Sequence, residues 1–140
     1  TPFYISNPDF IFASHYPAPR FAAGAFAECA KMLYERRFGR RCRIETFGKP
    51  TAATFAYATK MIEAERRRRG QGRPLRRIYM VGDNPSGDIR GANDAGPPWI
   101  SNLVRTGVFQ GAVGSNDLHH PARFVHDDAA ACVRFALARE

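Results

Sequence analysis

Two short stretches carry residue types that do chemistry together. One is Gly82-Asp83-Asn84-Pro85-Ser86-Gly87-Asp88, with two carboxylates five positions apart; the other is Phe47-Gly48-Lys49-Pro50-Thr51. Gly82 permits a tight turn at the end of an apolar run, and Asp88 falls where a helix N-terminus favours negative charge. Two carboxylates brought together repel unless a cation lies between them. Mg²⁺ suits that place, because one or two carboxylates, water and phosphate oxygens hold it. A lysine on a strand-to-helix turn is placed to neutralise a phosphate or a carboxylate nucleophile. Alone, D-x₄-D is more often a turn aspartate followed by a separate N-cap, and Lys49 more often a solvated loop residue. Lys49 is, however, one of three lysines beside 18 arginines, a compact point charge kept where arginine is the habit.

The elements that must position these groups follow from the apolar spacing. Residues 1–6 and 9–13 read as short strands around Asn7-Pro8, and 15–24, with two prolines and a glycine, as a loop. Residues 25–38 form a helix with Phe26, Ala30, Leu33 and Arg37 on one face, ended by Gly39. A strand over 42–47 runs into Lys49. A helix over 52–68 carries Phe55, Thr59, Ile62 and Arg66 on one stripe. A strand over 77–81 precedes Gly82-Asp83, and a short helix is expected from Asp88 to Ala95. Strands over 99–104 and 122–125 and a last helix capped by Asp127 complete the chain. Alternating apolar strands and helices predict an α/β fold with parallel strands, whose reactive groups gather beyond the strands' carboxyl ends. The turns after Phe47 and Val81 are those places.

Composition bounds the rest. The chain has 140 residues, 44% hydrophobic and 24% charged, which excludes a disordered tail. No apolar run approaches the roughly 18 residues of a membrane span, so no membrane partner is expected. The net charge of +8 is local: residues 66–77 (RRRRGQGRPLRR) hold seven arginines and no acid, leaving 14 basic against 13 acidic residues elsewhere. Such a patch suits phosphates, but it lacks base-stacking aromatics, so nucleic acid is an unlikely partner and a solvated helix end the plainer reading. Cys29, Cys42 and Cys132 are odd in number and far apart, and are expected as small core residues in a reducing intracellular compartment, cytoplasmic or mitochondrial. No import signal is visible. His119-His120 point apart on a loop, and Trp99, Phe109 and Phe124 are expected in the core.

Taken together, these stretches resemble a family. A lysine after one strand, a helix, then a strand tipped by GDxxxxD is similar to the lysine and metal motifs of the haloacid dehalogenase-like (HAD) hydrolases. NPDF (7–10), FGKPT (47–51), YMVGDNPSGDIRGAN (79–93) and LVRTGVFQG (103–111) extend the likeness to the 4-nitrophenylphosphatase- and NagD-like subclass. NPDFIFA…YPAPRF (7–21) and VRTGVF point within it to the cat-eye-syndrome critical region protein 5 group. The resemblance implies a Rossmann-like three-layer α/β/α core and Mg²⁺-dependent hydrolysis of a small phosphate ester through an aspartyl phosphate. It assigns Asp83 and Asp88 to the metal, Lys49 to the phosphate and the nucleophile, and Asn84 to the phosphate and to the turn beside them. Asn7 and Asp9 fall at the junction of cap and core.

The chain departs from the family pattern upstream. The family's nucleophile motif, DxD on the first core strand, is absent: the carboxylates before Lys49 are Asp9, Glu28, Glu35 and Glu45. Residues 1–45 therefore resemble the tail of an α/β cap domain and 46–140 the second half of the core. Such a chain is expected to be inactive alone and to need its missing half, or self-association, to cover a sheet edge. A catalytically dead scaffold bound to nucleic acid through residues 66–77 is the alternative.

Overall fold

The chain is described by a computed structural model covering residues 2–139. Its β-branched and aromatic runs become the sheets. β1 (Phe3–Ile5) pairs in parallel with β4 (Ile44–Thr46), and α1 (Ala23–Phe38) lies between them in sequence. β2 (Ile11–Phe12) and β3 (Arg20–Phe21) form a small antiparallel hairpin. α2 (Ala52–Arg68) follows β4. β5 (Ile78–Gly82), β6 (Trp99–Val104) and β7 (Phe124–His126) then form a parallel sheet in the order β5-β6-β7. A π-helical turn (Pro85–Ile89) and α3 (Arg90–Ala95) join β5 to β6, and α4 (Ala129–Leu137) closes the chain.

Side-chain alternation along β6 assigns the layers. Trp99, Ser101 and Leu103 share one face. Trp99 donates through Nε1 to Thr59 Oγ1 of α2 at 3.1 Å, Ser101 Oγ donates to Asn93 Oδ1 of α3 at 2.7 Å, and Leu103 joins the core with Ile89 and Ala122. Asn102 faces the other way, toward His126, whose ring packs at a tilt of 55° against Phe135 of α4. Helices thus cover both faces of β6, the three-layer α/β/α arrangement expected. Asn102 is fully buried yet satisfied: its Nδ2 donates to Ile100 O at 2.8 Å and Met80 O at 3.3 Å, so its Oδ1 accepts from His126 Nε2 at 3.2 Å. Burial holds the His126 imidazole below its ordinary value, against the opposing charge of Asp127.

α2 is anchored by Phe55, 3% exposed, which meets Trp99 edge-on with ring centroids 5.0 Å apart. Gly91 of α3 faces that ring so closely that a Cβ would overlap it and come within 3.0 Å of Pro50 Cα. Gly91→Ala is therefore expected to lower stability by about 1–3 kcal/mol through overpacking. Urea unfolding reads this as a lower midpoint at unchanged slope, and an unchanged midpoint would refute the contact.

Several local expectations are corrected. The loop over 15–24 contains β3, and α1 starts two residues early, where Gly24 N donates to Asp9 O at 2.9 Å. The Phe26/Leu33 stripe of α1 is not core: these residues are 77% and 63% exposed, and burial is confined to the helix's first turn at Gly24 and Ala25. The short helix does not open at Asp88 but at Pro85, because Asn84 Oδ1 accepts from the amides of Ser86 and Gly87. The last strand is displaced to 124–126, which places Asp127 beyond it and leaves Asp128 to cap α4, accepting from Ala131 N at 2.6 Å. Cys132 is buried as expected, but Cys29 is exposed and Cys42 half-buried. Thr1, expected in the first strand, lies outside the described residues. Among the described residues no helix is long and apolar enough to cross a membrane.

Candidate active site at the strand tips

The turn after β4 delivers the lysine. Gly48 adopts a φ of +88°, with Ser6 O 2.5 Å from where a Cβ would stand, so only glycine fits there without strain. Thr51, at the N-cap of α2, closes the turn by donating its amide and its hydroxyl to Gly48 O at 2.9 and 2.7 Å. Lys49, held between them, directs Nζ to 2.6 Å from Asp88 Oδ1. The pairing is asymmetric: the Asp88 side chain is 4% exposed and that of Lys49 42%. The ammonium thus caps a carboxylate that is otherwise inside the protein.

Asp88 lies in the π-helical turn, and its Oδ2 accepts from Asn84 N at 3.1 Å. Among the described residues Oδ1 has no partner besides the Lys49 ammonium, which is what compensates it. Gly82 makes room for this carboxylate, since a Cβ there would overlap it. Asp83 is braced from the opposite side. Its Oδ2 accepts from Val108 N at 2.7 Å, its carbonyl accepts from Phe109 N at 2.9 Å, and a Cβ on Gly107 would overlap its carboxylate. The loop 105–111 is therefore a seat for Asp83, which gives the Thr-Gly-Val-Phe stretch a physical role that its residue types alone do not show.

Asn84 connects the two acids to the N-terminal segment. Its Nδ2 donates to Asp9 Oδ1 at 3.2 Å while its Oδ1 caps the π-helical turn. Burial raises the Asp9 carboxyl above its ordinary value; Lys49 opposes this, and the charges of Asp88 and Asp83 add to it. For Lys49 burial disfavours the ammonium, but the Asp88 hydrogen bond and charge, with Asp9 and Asp83, outweigh it and raise the group overall. Lys49, Asp9, Asp83 and Asp88 accordingly form one charge-coupled group around Asn84. Asn7 stays outside it: its Oδ1 accepts from Asp9 N at 2.9 Å, a local turn that orients Asp9.

The donor set suits a hard cation. No three His, Cys, Asp or Glu side chains gather into a metal cage among the described residues. What is present is a smaller set, the carboxylates of Asp83 and Asp88 with the Lys49 ammonium on the latter, and one or two carboxylates with water and phosphate oxygens are what a hard cation such as Mg²⁺ accepts.

Comparison with known proteins agrees with this geometry. The sequence model of the HAD-hydrolase-like family matches residues 46–132. The chain belongs to that family. A cardiolipin synthase (CMP-forming)/mitochondrial hydrolase fusion protein of Schizosaccharomyces pombe is 41% identical over 97% of this chain and 22% of its own length. A mitochondrial hydrolase of Saccharomyces cerevisiae is 36% identical over 77% of the chain and 35% of its length. The crystal structure of a possible sugar phosphatase of the HAD superfamily from Cytophaga hutchinsonii superposes with a TM-score of 0.54 at 30% identity, covering 77% of this chain and 34% of that one. The chain thus spans between about a fifth and a third of these relatives' lengths.

Proposed function

We propose that the protein containing this chain is a Mg²⁺-dependent phosphatase of small phosphate esters. The observation that carries the reading is the 2.6 Å approach of Lys49 Nζ to the buried Asp88 carboxylate, at strand ends that also present Asp83. Lys49, nearly half exposed, has donor capacity left for a phosphoryl oxygen or an attacking carboxylate. Asp83 and Asp88 would hold Mg²⁺, which when bound neutralises charge developing on the phosphoryl oxygens. The attacking aspartate would come from outside these 140 residues and form an aspartyl phosphate that water hydrolyses. Residues 1–45 would belong to the cap and 46–140 to the core, and the chain alone would be inactive. The names of the two fungal relatives support a mitochondrial location.

The test is hydrolysis of a panel of phosphate esters by the full-length protein. Turnover is expected with Mg²⁺ and is expected to vanish in EDTA and return on adding the metal. A folded full-length protein that hydrolyses none of the panel with Mg²⁺ would sink the reading and favour a scaffold.

A further inference from the structure

The seven arginines of residues 66–77 do not act as one patch. Arg67, Arg68 and Arg69 each approach Glu63 or Glu65 along α2, at 3.9, 2.9 and 2.7 Å. Arg76 and Arg77 instead join Arg123 and Arg139 around a cleft of about 280 Å³ floored by Trp99 and Phe124. Among the described residues no carboxylate lines this cleft, and none of its four arginines forms a salt bridge.

Four exposed guanidinium groups would ordinarily spread apart. Here three are held. The Arg139 guanidinium lies 4.5 Å from the Phe135 ring centroid and 5.0 Å from that of Phe124, and Arg123 lies 6.0 Å from Phe124. Arg77 Nη1 donates to Arg139 O at 2.6 Å. Stacking on aromatic faces and a backbone tether reduce the ordering cost of binding. The guanidinium fork matches phosphate oxygens two at a time, so one phosphate is saturated by about two forks and four forks suit two phosphates side by side.

The cleft is separate from the strand-tip site. β5 and β6 run parallel with Ile78 beside Trp99, so the cleft lies at their amino ends and Asp83 beyond the carboxyl end of β5. A five-residue strand puts about 15 Å between them at ~3.3 Å per residue. We propose that this arginine cleft binds a ligand presenting two adjacent phosphate groups. A free diphosphate and a bisphosphorylated lipid headgroup share that chemistry.

The experiment uses the full-length protein in EDTA at constant ionic strength. Pyrophosphate is titrated by calorimetry, and co-sedimentation is measured with phosphatidylcholine vesicles containing a bisphosphorylated inositol lipid, against phosphatidylcholine alone. Saturable binding of either probe is expected, weakened at least about tenfold by Arg76→Ala/Arg123→Ala and unchanged by Lys49→Met. Both substituted arginines are exposed, and an unchanged thermal midpoint confirms the fold. Pyrophosphate binding alone assigns a free ligand, and vesicle binding that depends on Arg76 and Arg123 assigns a headgroup. Binding of neither probe, binding equal in the double variant, or binding lost in Lys49→Met overturns the proposal; the last would place the anion at the strand tips.

Discussion

Replacing Lys49 by methionine is expected to lower the phosphatase kcat proposed for the full-length protein by about 10²–10³-fold, the usual loss when one preorganised donor to a developing oxyanion is removed. Methionine keeps most of the stem and deletes the charge that stands 2.6 Å from Asp88 Oδ1. The fold is expected to persist, because Lys49 is on a turn whose shape is set by Gly48 and Thr51. A second readout separates the charge from the packing. The Lys49 ammonium is raised above its ordinary value in the folded state. The stability it contributes is therefore fully present below the unfolded-lysine value of about 10.4 and is lost as pH rises through the higher folded value. Thermal melts from pH 9 upward should show this alkaline loss in the parent protein and a shallower one in Lys49→Met. Wild-type turnover by the variant would remove Lys49 from the chemistry; an unchanged alkaline limb would remove its coupling to Asp88.

Much of this arrangement was legible in the residues because it is local. The helix over 52–68 and the strand over 99–104 have the predicted bounds: one is a helical-period stretch followed by Gly70 and Gly72, the other an apolar run behind Gly-Pro-Pro. The turns after Phe47 and Val81 stand out by their position at strand ends, a rule of parallel α/β sheets that needs no tertiary detail. What was illegible depends on contacts far apart in sequence or on competition between equivalent caps. Asp127 and Asp128 are adjacent acids, and only the backbone path decided that Asp128 caps α4 while Asp127 meets Arg105 at 3.1 Å. Phe26 and Leu33 have a buried helix's periodicity, yet no described segment of this chain covers them. The Arg66–Arg77 run looked uniform because spacing cannot show that Glu63 and Glu65 reach forward to Arg67–Arg69 while Arg76 and Arg77 turn to a cleft closed 62 residues later at Arg139.

The seating of the two acids depends on contacts distant in sequence and is invisible in the residue order. Each carboxylate rests against a glycine from elsewhere in the site, Asp88 against Gly82 and Asp83 against Gly107, and in both cases a Cβ would overlap the carboxylate itself. Neither glycine has a positive φ, so alanine is compatible with the backbone and the collision is with the side chain alone. Asp83 has little freedom to yield, since Val108 N holds its Oδ2 and Phe109 N holds its carbonyl. Asp88 is nearly buried and fixed by Asn84 N. Gly107→Ala and Gly82→Ala should therefore displace one acid each by a fraction of an ångström to an ångström. Misplacement on that scale costs about 10²-fold in turnover. The expected signature is a lower kcat with a raised Mg²⁺ requirement, because the same oxygens would hold the metal. Gly72→Ala is the control: nothing lies within 4 Å of its added methyl, and it should match the parent in activity and melting. If Gly107→Ala retains the parent's kcat and Mg²⁺ dependence, the position of the Asp83 carboxylate does not govern the reaction, and the metal must be held by other groups.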